Sequence, residues 1–151
     1  MWTPSEFISQ NLRKYTDKPV YTLPYSVTAP ADAAYDRDYF HLPKDRFLFL
    51  MMYDSGSGMV RKNPLGAIEA FKQAFDREHK QVGLVIKMNR SEQSEKDIEN
   101  IRTKLDGYDN IYFICETLSK TAVNSLTACV DVFVSLHRAE GFGLVLSLIH
   151  I

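Results

Sequence analysis

Two hydrophobic rhythms alternate along the second half of the chain. Phe47-Leu-Phe-Leu-Met-Met-Tyr53 is apolar without a break, and Val82–Met88, Ile111–Cys115 and Val130–Leu136 repeat the theme with few interruptions. Runs of this length and make-up predict strands buried on both faces of a sheet. Between them the spacing changes to that of helices. Leu65, Ile68, Phe71 and Phe75 follow Asn63-Pro64, which reads as an N-cap with proline at the first helical position. Ile98, Ile101 and Leu105 share a face behind Ser94, a capping residue with Asp97 three positions on, and Gly107 stops the pattern. A shorter helix is expected over 119–128. Strand, loop and helix in repetition predict an α/β fold, a Rossmann-like parallel sheet with flanking helices and right-handed crossovers.

The first forty-five residues follow a different pattern. Thr3-Pro-Ser-Glu6 predicts a helix capped at Thr3, with Phe7, Ile8, Leu12 and Tyr15 on its apolar side before Lys18-Pro19 breaks it. Val20–Leu23 predicts a short strand. Residues 25–45 contain prolines at 30 and 43 and no sustained period, so they read as a linker.

Composition narrows the classes of function. The chain has 151 residues, 45% of them hydrophobic, enough for one cored domain. Its net charge is −1, from 18 basic and 19 acidic residues, and no basic footprint for a nucleic-acid partner is present. Cys115 and Cys129 sit in apolar surroundings without metal-ligand spacing, so buried free thiols in a reducing cytoplasm are expected. The longest clean apolar run, residues 47–52, falls far short of the roughly 20 residues of a membrane-spanning helix. Residues 1–15 mix acidic, basic and polar positions and do not read as a signal peptide.

In open parallel sheets, ligands bind beyond the carboxyl ends of the strands. The four predicted strands lead into Asp54–Lys62, Lys87–Arg90, Glu116–Ser119 and His137–Gly143. Three of these segments carry positive charge and two carry glycine pairs, a make-up suited to an anionic ligand held by cations and backbone amides. Ser55-Gly-Ser-Gly58 lacks the Gly-Lys-Ser/Thr ending of a P-loop and reads as a turn. Arg61 and Lys62 precede a helix start, where cations oppose the macrodipole, so anion binding is preferred over a structural role. Lys87 admits two readings, snorkelling to solvent or binding. His137 and Arg138 admit a solvent-facing reading as well as a binding one. Glu140 beside Gly141-Phe142-Gly143 is favoured as functional, because a carboxylate next to an anion site is electrostatically costly.

"RKNPLGAIEAFKQAF" at 61–75 and "DVFVSLHRAEGFGL" at 131–144 resemble the donor-binding domain of retaining glycosyltransferases of family 4, the group-1 type with the two-domain GT-B fold. "WTPSEF" and "KPVYTLPYSV" resemble the segment that passes from the first domain of those enzymes to the second. The resemblance implies residues 1–24 as the end of the N-terminal domain and the crossover, 25–45 as a linker, and 46–145 as a truncated nucleotide-sugar-binding domain. It implies Arg61 and Lys62 on the donor diphosphate, with Lys87, His137, Gly141, Phe142, Gly143 and Leu144 completing the donor site. Glu140 corresponds to the first of the family's paired glutamates and would be catalytic. The expected reaction transfers a sugar from a nucleotide-sugar, with retention of configuration, to a saccharide or lipid-linked acceptor bound by the N-terminal domain. No cofactor and no metal are expected, because protein cations neutralise the leaving diphosphate.

The intact parent would be cytoplasmic and peripheral at the inner membrane face, and the chain alone inactive in transfer. Two features depart from the family pattern. Tyr53-Asp54 stands where members carry a basic residue, and Leu148 stands where the second glutamate is expected. Residues 146–151 resemble the translation of a sequencing adaptor and are expected to be a non-native tail. The alternative reading is a non-catalytic nucleotide- or phosphate-binding module of the same fold.

Overall fold

The structure, a computed structural model, describes residues 1–89, 95–140 and 143. The chain divides into two compact units, Pro30–Ala139 and a smaller one that comprises Met1–Ala29 and takes in Glu140. The Ser94 cap and the 146–151 tail proposed from the sequence lie outside the described residues.

In the smaller unit, β1 (Trp2–Thr3) pairs in parallel with β2 (Tyr21–Thr22), and α1 (Glu6–Leu12) joins them. The helix is capped by Ser5, whose Oγ accepts from the Ile8 amide, and not by Thr3. Thr3 is instead drawn into the strand pair, where its hydroxyl lies 2.5 Å from Ser9 Oγ, and Ser9 in turn lies 2.6 Å from Thr22 Oγ1. These hydroxyls replace an apolar seam. Phe7 and Tyr15, expected on a buried face, are 76% and 85% exposed.

The larger unit is built on a four-stranded parallel sheet in the order β5-β4-β3-β6, from β3 (Phe47–Asp54), β4 (Val82–Asn89), β5 (Ile111–Ile114) and β6 (Val132–Phe133). β3 is covered on both faces, so its alternate residues feed two cores. Leu48 and Leu50 face α5 (Lys120–Cys129), through Ala122 and Leu126. Met51 and Tyr53 face α3 (Pro64–Ala74) and α4 (Glu95–Lys104), through Ile68, Phe71 and Ile101. The last strand is shorter than its sequence suggests, yet Asp131 N donates to Leu48 O at 3.0 Å and Val134 N to Leu50 O at 2.8 Å, which extends the ladder on either side. The order places a topological switch point between β3 and β6.

The stretch read as a linker divides at Pro30. From there on it is packed, not extended. Phe40 and Leu42 enter the α5-side core, and Asp32 exchanges hydrogen bonds with Ser125 Oγ at 2.8 and 3.2 Å. Local periodicity cannot show this, because the anchoring contacts are made with residues some ninety positions away. A hydrogen-bonded turn ends at His41, whose φ of 53° is left-handed. His41 N donates to Asp38 O and Leu42 N to Arg37 O, the bonding pattern of a helix end that ordinarily selects glycine. His41→Gly should therefore stabilise the chain by about 0.5–1 kcal/mol despite the greater freedom of the unfolded glycine. Chemical denaturation would detect a loss of stability as the opposite result.

Candidate donor site

The carboxyl edge of the sheet gathers the loops after β3, β4 and β6. Asp54 ends β3 and its Oδ1 accepts from Gly56 N at 2.9 Å, which turns the chain into a 3-10 turn at Ser55–Ser57. Gly58, at φ 87°, reverses it into α2 (Met59–Lys62), a four-residue helix too short to show as a period in the sequence. Arg61 and Lys62 thus occupy the last turn of a helix, where cations complement the dipole, and not merely the approach to the next one.

Asn63 is left-handed, at φ 45°, and makes no side-chain cap on α3. Its amide Nδ2 instead donates to Leu136 O at 3.1 Å, and Arg138 Nη2 approaches its Oδ1 at 3.5 Å. Arg61 reinforces the junction: Nη1 donates to Ala139 O at 3.0 Å, Nε to Ser57 O at 3.3 Å, and its own carbonyl accepts from Arg138 N at 2.8 Å. Five bonds tie α2 and the residue after it into a single frame, four of them reaching the loop after β6. Lys62 and His137 are half-buried within that frame, and Arg138 is exposed. The frame stands at the switch point between β3 and β6, where ligand crevices form in open α/β sheets.

Gly66 makes room for the Asn63 tether, since a Cβ there would stand 2.5 Å from Asn63 Nδ2 and 2.8 Å from Oδ1. A helical Gly→Ala change ordinarily gains about 1 kcal/mol. Here Gly66→Ala should gain nothing, whereas in an Asn63→Ala background the same change should recover that gain. Equal gains in both backgrounds, measured by denaturant unfolding, would refute the tether.

The other expected residues fall as follows. Lys87 does not snorkel: it is 4% exposed, its Nζ donates to Asn89 Oδ1 at 2.9 Å, and burial pushes its pKa below the ordinary lysine value. Tyr53, where a basic residue was sought, turns into the core on the α3 side, and its phenol is pushed up to about 12 by burial, so it stays neutral. Glu140 is exposed and falls with the smaller unit. Gly143 has a φ of 71°. Gly141, Phe142 and Leu144 lie outside the described residues. The larger unit therefore brings together Arg61, Lys62 and His137, adds Asn63 and Arg138, and sets Lys87 apart at the end of β4. Asn63 was read in the sequence only as a cap, because its true partner is a carbonyl 73 positions away.

Neither a family model nor a curated protein sequence matches the chain. Solved structures do. Sucrose-phosphate synthase from Thermosynechococcus elongatus superposes with a TM-score of 0.71 at 16% identity, over 98% of this chain and 37% of that one. A UDP-forming α,α-trehalose-phosphate synthase from Burkholderia xenovorans gives 0.56 at 14% identity, over 86% and 34%. The pneumococcal O-GlcNAc transferase GtfA, in complex with UDP and GlcNAc, gives 0.62 at 16% identity, over 98% and 27%. The chain spans between about a quarter and two fifths of these proteins. At such identities the likeness shows the fold alone: an α/β domain with a parallel sheet flanked by helices, as in GT-B glycosyltransferases. Among the described residues, no helix is long and apolar enough to cross a membrane.

Proposed function

We propose that the chain carries the donor-binding part of a sugar transferase, holding a nucleotide-sugar across the carboxyl edge of its sheet. The observation that carries this reading is the fastening of α2 to the loop after β6, which fixes Arg61 and Lys62 at the switch point of the sheet. Fixed cations aimed at an anion need no reorganisation as charge develops on the leaving diphosphate, so they favour its departure. Arg61 commits two of its nitrogens to the carbonyls of Ser57 and Ala139, which holds α2 in place, and in this reading Lys62 on the same helix meets the diphosphate with it.

In the same reading the amides of Phe142, Gly143 and Leu144 cap the phosphates, and Glu140 meets the donor sugar. Transfer proceeds with retention to a saccharide or lipid-linked acceptor, without metal or other cofactor. The family-4 assignment rests on "RKNPLGAIEAFKQAF" and "DVFVSLHRAEGFGL". Since the solved relatives are two to four times longer, the acceptor and the turnover belong to the longer arrangement. The experiment is a thermal-shift series with UDP, GDP and ADP on the 151-residue chain. A rise in melting temperature with at least one diphosphate, and none with the matching nucleoside, is expected. No rise with any of them would overturn the reading.

A further inference from the structure

Lys87 and Asn89 lie two residues apart on β4, so both side chains stand on the same face of the sheet. An ammonium donates three hydrogen bonds and accepts none, so only the carbonyl oxygen of the Asn89 amide can face Lys87 Nζ. That contact fixes which way round the amide sits. Its Nδ2 is turned away from the ammonium with two N–H donors, and among the described residues no hydrogen bond engages them. The backbone beneath is fixed as well: Asn89 O accepts from Ser55 Oγ at 3.0 Å, and Asn89 is in register with Asp54 at the end of β3. Lys87 itself is buried; the group it holds is exposed at the carboxyl edge.

Charge separates this position from the frame between β3 and β6. The groups that act electrostatically on Lys87 are Cys115, Glu116 and Asp54, whereas α2, which carries Arg61 and Lys62, is fastened to the loop after β6, on the side of β3 away from β4. A diphosphate belongs with the cations, and an oxygen reaching the Asn89 amide is then a neutral one on the nucleoside. We propose that Asn89 donates from Nδ2 to an uncharged oxygen of the nucleoside, and that Lys87 is the positioning residue that aims this amide, not a ligand of the diphosphate. The inference rests on the reading of the edge as a nucleoside-diphosphate site.

The test is calorimetric titration of the intact chain with the diphosphate that binds it best among UDP, GDP and ADP, and with inorganic pyrophosphate. Asn89→Ala alone strands a buried ammonium and lowers the melting temperature, so Lys87→Met and the double variant Lys87→Met/Asn89→Ala are included. Both remove the buried charge and should melt at or above the wild-type temperature. The double variant should bind the nucleoside diphosphate about tenfold more weakly, the scale of one hydrogen bond. Lys87→Met should show a smaller loss, because the amide is no longer held one way round. Pyrophosphate affinity should stay at the wild-type value in both. Wild-type affinity for the nucleoside diphosphate in the double variant, or an equal loss of pyrophosphate, would overturn the inference while leaving the donor-site reading in place. Failure of the wild-type chain to bind any of the three diphosphates would overturn both.

Discussion

Arg37→Ala should lower the stability of the larger unit by about 1.5–3 kcal/mol, the scale of charge-assisted hydrogen bonds lost from a half-buried guanidinium. The guanidinium joins three segments that no regular element connects. Nε donates to Cys129 O at 2.7 Å, at the end of α5. Nη1 donates to the carbonyls of Pro43, Lys44 and Arg46 at 2.9–3.3 Å. Nη2 meets Asp131 Oδ2 at 3.0 Å, and the same oxygen accepts from Leu48 N at 2.7 Å. Truncation strands four carbonyls and a carboxylate, and it releases the segment that carries Phe40 and Leu42 into the core. Arg37→Lys should recover little, since an ammonium cannot span the fork that reaches α5, the 43–46 turn and Asp131 together. Urea unfolding of both variants measures this. A loss below about 1 kcal/mol for Arg37→Ala would show that the segment is held by its apolar residues alone.

Lys62→Ala should weaken nucleoside-diphosphate binding about 10–100-fold, the scale of one charge-assisted hydrogen bond to an anion. The frame beside Lys62 is carried by Arg61, Asn63 and the 136–139 carbonyls, and melting temperature in the absence of ligand, measured alongside, reads out what Lys62 itself contributes to it. Lys62→Arg should keep part of the affinity, as charge is conserved while geometry is not. Raising the salt concentration should weaken the wild-type chain and affect Lys62→Ala much less, since screening acts on the charge that the variant lacks. Arg61→Ala differs in kind: it removes the fastening to Ala139, so it should lower affinity and stability together.

Much of the sheet unit was legible from its sequence because its central strands, β3 and β4, are covered on both faces. β3, β4 and β5 appear as apolar runs, α3 and α4 as periodic segments between stop signals, and α5 as the short helix expected over 119–128. The features that were not legible depend on contacts that local pattern does not encode. Thr3 and Ser5 are both capping residues, and only the pairing of β1 with β2 decides that Thr3 serves the strand. Residues 30–46 lack a period because Arg37 holds them through a fork of hydrogen bonds, not through an apolar stripe. Arg61 and Lys62 could be picked out by charge next to a helix start, but not their fastening to the loop after β6. Asn89 carried one signal that could have been found: Lys and Asn at alternate positions of an otherwise apolar strand share a face.

Lys62, on the helix fastened at the switch point of the sheet, is proposed to bind the diphosphate of a nucleotide. Calorimetric titration of the wild-type chain and Lys62→Ala with the best-binding nucleoside diphosphate, each beside the matching nucleoside, tests it most directly. Saturable binding of the diphosphate by the wild type is expected, weakened at least about tenfold in Lys62→Ala, with the nucleoside bound equally poorly by both. Equal diphosphate affinity in the two chains would contradict it.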